Sequence, residues 1–270
     1  MARPAYRSLY GDLTQLKDES MLSDPAGGTT FDDALFRFLL AVSESVDDYC
    51  NRFFFPHVAT KTFDGTADPQ LGVPDLISVT TLLSDDDGSY ETTWAATDYQ
   101  LLPQNAGEST HWTFPHHAVR VRNRGTKSQF DRGQSRFQIA GTWGYREFVE
   151  ISGSSLTSAL TASVVTVPVT AGTDFAIGQT ILVESEWMLV TDVSGNNLTV
   201  TRPLNGSTGA THADTTGVSI VRWPAPVERA TLINTARIWS RSTAFEPFYV
   251  DVDLDSDVRM LLDAYRLGAA

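Results

Sequence analysis

The stretch Phe31-Asp32-Asp33-Ala34-Leu35-Phe36-Arg37-Phe38-Leu39-Leu40-Ala41-Val42-Ser43-Glu44-Ser45-Val46-Asp47-Asp48-Tyr49-Cys50 decides how the chain is read. Phe31, Leu35, Phe38, Leu39, Val42, Val46 and Tyr49 recur at steps of three and four, which makes one apolar face of a helix of about five turns. Asp32, Glu44, Asp47 and Asp48 fall on the other face. Thr30 is the expected N-cap, with Asp33 three residues on as its capping-box-like partner. The helix is predicted over 30–52 and stops before the aromatic run Phe53-Phe54-Phe55 and Pro56. Upstream, Leu9, Leu13 and Leu16 share helical spacing and predict a helix over 8–22, closed by the turn Asp24-Pro25-Ala26-Gly27-Gly28.

Beyond this helix the apolar period changes to two. Val79 to Leu83, the turn Asp85-Asp86-Asp87-Gly88 and Tyr90 to Trp94 read as a hairpin. Tyr99 to Pro103, Ala118 to Arg122 and Phe137 to Tyr145 read as further strands of a small antiparallel sheet over 60–150. Residues 151–223 then shift in composition towards Thr, Val, Ser, Gly and Ala, with only two basic residues, Arg202 and Arg222. Val164 to Val169, Gln179 to Glu184, Trp187 to Val193, Asn197 to Arg202 and Gly217 to Val221 predict a small β-barrel or roll at 152–223. Helix returns after Trp223-Pro224-Ala225-Pro226 over 226–242, since proline suits a first helical turn, and a last helix is predicted over 256–267. The expected class is therefore α+β. Its expected parts are a helical core from both chain ends, a small antiparallel sheet, and an inserted all-β module at 152–223 within a domain of 1–151 plus 224–270.

Composition bounds the function. The 270 residues are 41% hydrophobic and 20% charged, which fits a folded chain. Twenty basic against 33 acidic residues leave a net charge of -13, which disfavours tight nucleic-acid binding by the chain as a whole. One cysteine, Cys50, excludes an intrachain disulfide and reads as a buried thiol. No apolar run reaches a membrane span, and no secretory leader is read at the start.

No P-loop, G-x-G-x-x-G, H-E-x-x-H or G-x-S-x-G is found in the sequence. Asp85-Asp86-Asp87-Gly88 reads as a solvated hairpin turn, because strands flank it rather than the helices of a calcium loop. His116 and His117, with His111 nearby, fall on opposite strand faces and make a poor metal site. Glu184 and Glu186 flank Ser185 in a turn and imply no substrate cleft. Arg120, Arg122 and Arg124 alternate on one strand face and, with Lys127, Arg132 and Arg136, form the basic concentration of the chain. They read either as a docking or DNA-facing loop or as an ordinary solvated strand face.

The ordered series of segments resembles the head-tail connector (adaptor) proteins of tailed bacteriophages. The similar segments are Tyr10 to Lys17, Phe31 to Leu35 with Ala41 to Phe54, Phe63-Asp64-Gly65, Pro74 to Val79, Asp87-Gly88, Asp98-Tyr99, Gly141 to Tyr145, Pro224 to Arg241 and Leu254 to Arg266. Residues 152–223 depart from the compact members. Gly178 to Met188, Leu198 to Arg202 and His212 resemble a small β module of phage structural proteins.

The resemblance implies a virion protein at the head-tail junction, assembled in the host cytoplasm. It implies a ring of copies, usually twelve, beneath the portal protein. A downstream neck or tail-completion protein would dock on it. DNA would pass through the channel without specific binding. It implies no catalysis, cofactor, metal or membrane contact. Arg259, Leu262, Tyr265 and Arg266 of the last helix are the expected portal contacts, and the basic loop is the expected docking or channel-facing element. The alternatives are a tail or baseplate component whose β module binds a carbohydrate receptor, and, third, an enzyme with a cleft of converging carboxylates or histidines.

Overall fold

The structure, a computed structural model, describes residues 6–18, 28–104, 106, 115–243 and 256–268. Two compact units divide the chain: Met1–Arg52 with Phe148–Ala270, and Phe53–Glu147.

The unit Phe53–Glu147 is an antiparallel sheet of six strands: β1 (His57–Gly65), β2 (Gln70–Ser84), β3 (Thr92–Thr93), β4 (Tyr99–Leu102), β5 (His116–Val121) and β6 (Gly133–Trp143). Their order is β1-β6-β2-β5-β4, with β3 pairing β2. Trp94, Phe130 and Phe137 pack ring against ring at its centre, with Leu82, Ile139 and Trp143 beside them. Gly144 follows β6 at φ +125°, and a Cβ there would stand 2.2 Å from the Phe55 carbonyl oxygen, so the position requires glycine.

The other unit holds a second antiparallel sheet: β7 (Val149–Ser155), β8 (Thr166–Pro168), β9 (Thr180–Val183), β10 (Glu186–Ser194), β11 (Asn197–Thr201) and β12 (Gly217–Val221), in the order β7-β12-β9-β10-β11-β8. Ile181, Val183, Met188, Val190, Leu198 and Ile220 are central to its core. The same unit contains α1 (Leu13–Asp18), α2 (Asp32–Cys50), α3 (Ala225–Thr243) and α4 (Ser256–Leu262). Phe31 and Phe38 meet the Trp239 ring edge to face, joining α2 to α3. The Leu13 N–H donates to the Ile177 carbonyl at 2.9 Å, tying α1 to the loop before β9.

The fold is thus mostly β, and this corrects the expected α+β class. A helical core from both chain ends is not found. The two sheet cores consist of strand side chains and short connections. The reason is the length and pairing of the strands. The first sheet is not small, because the 15-residue β2 pairs with β6, β5 and β3. Each helix buries a single stripe, whereas the strands close two cores of their own.

Local expectations are corrected as well. The N-cap of α2 is Phe31, without a side-chain cap hydrogen bond, rather than Thr30. Asp32 and Asp47, expected on the polar face, are buried. Lys17 reaches Asp32 at 2.5 Å, and the Arg7 guanidinium and Tyr10 hydroxyl both donate to the Asp47 carboxylate at 2.5 Å.

Candidate functional site

The alternation of β5 is the most informative surface feature. Ala118, Val119 and Val121 are buried, while Arg120 and Arg122 are exposed. Register places Gln100 of β4 directly beside Arg120. After β5 the chain turns sharply. The Gly125 N–H donates to the Arg122 carbonyl at 3.0 Å, and the Arg122 N–H donates to the Asp98 carbonyl at 2.8 Å. A Cβ on Gly125 would lie 2.7 Å from the Asp98 Cα, so only glycine lets the turn sit this close.

The Asp98 carboxylate is buried and fully used by this turn. It accepts from the Thr126 N–H at 2.7 Å, the Thr126 hydroxyl at 3.0 Å and the Ala95 N–H at 3.1 Å. The bond from the Thr126 N–H is the main cause that holds its pKa below the ordinary carboxylate value. This acid therefore shapes the turn and does not pair with the arginines.

The result is a cleft of about 620 Å³ lined by Arg120, Arg122, Arg124, Gln100, Gln104 and Thr97 among others. Gln104 Nε2 donates to Gln100 Oε1 at 2.8 Å, which orders the two amides against each other. Among the described residues no carboxylate forms an ion pair with Arg120, Arg122 or Arg124. The other three basic residues stand apart from the cleft. Lys127 Nζ lies 5.5 Å from the Trp94 ring centroid, Arg136 pairs with Asp86, and Arg132 is exposed before β6.

The second candidate set lies on α4 and just after it. Leu262 is buried and fixes α4 rather than facing outward. Arg259 and Tyr265 are half-buried. Arg266 is exposed, with its guanidinium 5.2 Å from the Tyr49 ring centroid. The Tyr49 hydroxyl donates to Asp263 at 2.5 Å, and the Leu267 N–H donates to the Cys50 carbonyl at 2.9 Å. Met260 is the most exposed apolar side chain of this segment, at 73%.

The remaining candidates serve structure. Asp85 accepts from the N–H groups of Asp87 and Ser89, and the Ser89 hydroxyl oxygen stands 2.6 Å from Asp87 and 2.5 Å from Glu91, with one proton to offer between them. Carboxylate oxygens of Asp85, Asp87 and Glu91 come within 4.8 Å of one another in this exposed turn. The His116 ring contacts the Pro103 carbonyl and His117 is exposed, while His111 lies outside the described residues. Cys50 is buried, and burial pushes its thiol up to about 12.

One constellation escapes a reading of the sequence. Glu186 is fully buried in β10 and accepts two bonds from Arg202, one from the Ala210 N–H at 2.9 Å and a contact from His212 Nε2 at 2.9 Å. His212 Nδ1 lies 2.6 Å from Glu184. Glu184, Glu186, Arg202 and His212 are each visible in the sequence, but nothing in their spacing joins them. Phe175, Trp187 and Trp223, the aromatic residues of 152–223, are all buried.

No protein-family model matches the chain, and no curated protein matches it.

Proposed function

We propose that this chain is a structural component of a tailed-phage virion. In this reading it forms a ring, twelvefold by family expectation, beneath the portal and joins the head to the neck or tail. What carries the reading is the ordered series of resembling segments. In the structure these fall on regular elements: Ala41 to Cys50 on α2, Pro74 to Val79 on β2, Gly141 to Trp143 on β6, Ala225 to Arg241 on α3 and Ser256 to Leu262 on α4.

Two surface features support self-association. Strand β7 is an edge of its sheet, and Ile151 on it is 83% exposed, with the adjoining Phe148 at 50%. An exposed apolar edge is a surface that a second chain can cover. A ring closes when one such patch meets a different patch on the next copy. The portal and a downstream neck protein are the partners in this reading, with Arg259, Tyr265 and Arg266 as candidate portal contacts. The carbohydrate-receptor alternative is disfavoured, since a stacking platform needs exposed rings and the aromatic residues of 152–223 are buried.

The test is to label this chain in purified virions and locate it by electron microscopy. Label at the head-tail junction is expected. Label along the tail or at its tip would replace the connector reading with a tail role, and its absence from particles would end the structural reading.

A further inference from the structure

We propose that the cleft between β4 and the turn after β5 is a phosphate-binding site that takes the sugar-phosphate backbone of a polynucleotide. The proposal does not depend on the connector reading, because it concerns a surface of the isolated chain. Arg120, Arg122 and Arg124 line one concavity and form no ion pair with any described carboxylate. Gln100, Gln104 and Thr97 add amide and hydroxyl groups to the same wall. Guanidinium and amide N–H groups are donors, and a phosphate offers several acceptor oxygens to meet them.

The cleft is built rather than incidental. Asp98 beside it spends its carboxylate on Thr126 and Ala95, so it holds the turn, and no described carboxylate pairs with the arginines. Gly125 permits the backbone approach that sets Arg122 and Arg124 next to Gln100 and Gln104.

Arg120 lies on β5, and Arg122 and Arg124 follow it in the turn, so three guanidinium groups are spread along one wall of the cleft. Several separate donors suit a chain of phosphates better than a single anion. The charge of -13 on the whole chain opposes long-range attraction. Screening confines that opposition to about 8–10 Å at ordinary salt. Binding is therefore local, salt-sensitive and independent of sequence. Three neutralised phosphates predict a slope of about -2.7 for log K against log salt on duplex DNA.

The experiment uses the full chain and a short fluorescein-labelled DNA duplex, read by anisotropy between about 50 and 200 mM salt. Binding with that slope is expected. The variant R120Q/R122Q/R124Q, substituted at exposed positions, is expected to keep its thermal unfolding temperature and lose at least tenfold in affinity. Gly125→Val, which keeps every charge but displaces the turn, is expected to weaken binding severalfold. Pyrophosphate identifies the source. Competition by pyrophosphate only at far higher concentration than by unlabelled duplex assigns the site to a polynucleotide. Competition at equal concentration assigns it to small phosphates and overturns the polynucleotide assignment. No anisotropy change at the lowest salt, full affinity in the triple variant, or equal competition by poly-glutamate would overturn the proposal as a whole. None of these outcomes bears on where the chain sits in a virion.

Discussion

Glu186 and Arg202 form a two-point ion pair sealed inside the second sheet unit. Arg202 Nη2 stands 2.6 Å from Oε2 and Nε 2.8 Å from Oε1, with 1% and 0% of the two side chains exposed. The arginine also donates to the carbonyls of Thr161, Val164 and Ala210. One residue thus gathers three backbone carbonyls and a strand onto a single carboxylate.

Removing that carboxylate leaves a buried cation with too few acceptors. Glu186→Ala is expected to destabilise the unit by about 3–5 kcal/mol, the usual cost of breaking a buried pair. Replacing both residues with apolar ones of similar size, as in Glu186→Leu with Arg202→Met, is expected to recover only part of that loss, because the Ala210 N–H, His212 and the three carbonyls lose their partner. Denaturant unfolding of the single and double variants measures both. A double variant as unstable as the sum of the singles would mean that the pair is not the organising contact.

His57 supplies a pH signature for the first sheet unit. Its ring packs against those of Phe53 and Phe55, at 5.6 and 5.9 Å between centroids. Burial, helped by the Lys61 charge, pushes its pKa from 6.5 down to about 4. Between these values the unfolded chain binds more protons than the folded one, so stability falls as pH drops from about 6.5 to about 4. His57→Gln is expected to flatten this part of the curve, as read by thermal unfolding across that range. An unchanged slope in the variant would assign the pH response to other groups.

Gly144 is expected to tolerate no side chain. Its φ is +125°, and an added Cβ would stand 2.2 Å from the Phe55 carbonyl oxygen, so Gly144→Ala meets both strain and a clash with backbone. A loss of at least about 1–3 kcal/mol is expected for a residue forced into such a conformation. Gly153→Ala, also at positive φ but with open space around it, is expected to cost less. Thermal unfolding of the two variants makes the comparison. Equal losses would show that the close approach to Phe55 contributes nothing.

Arg237 and Asp257 join α3 to α4 through two bonds of 2.8 and 2.5 Å. The Arg237 bond is the main cause that brings the Asp257 carboxyl down to about 2 from 3.8. The contribution of the pair is complete above about pH 4 and disappears as pH falls towards 2. Asp257→Asn is expected to speed amide hydrogen exchange in α4 at neutral pH and to remove its acid dependence. Exchange as slow as in the parent chain would leave Val258 and Leu262 as sufficient anchors.

Local periodicity is legible in this sequence and global assembly is not. The spacing of Leu35, Leu39, Val42 and Val46 foretells a helix that buries one face. It does not foretell Phe36 as a core residue, nor that Arg7 and Lys17 return to neutralise Asp47 and Asp32. The β5 alternation is plain, because Val119 and Val121 face the core and Arg120 and Arg122 do not. The edge strands β1 and β7 carry no such signal. Thr60, Lys61 and Thr62 in β1, and Ser152 to Ser155 in β7, include too few apolar residues to mark a buried face. Without these strands the sheets look small and the helices look dominant. Gln100 and Gln104 are invisible as cleft residues because only strand register sets Gln100 beside Arg120.

The connections into each sheet have a consequence for how such a chain can be rearranged. The Tyr145 N–H donates to the Phe53 carbonyl at 3.0 Å, and the Arg222 N–H donates to the Phe148 carbonyl at 2.9 Å. Each β segment therefore leaves the polypeptide where it entered, like a loop of thread drawn through one stitch. The first segment, Phe53–Glu147, is a compact unit by itself, so a two-point splice at its stem would exchange a whole surface and leave the flanking helices in frame. The second shares its unit with the helices and is held to them by the Leu13 N–H on the Ile177 carbonyl and by Asn205 Nδ2 on the Ser8 hydroxyl, so it does not move as a cassette.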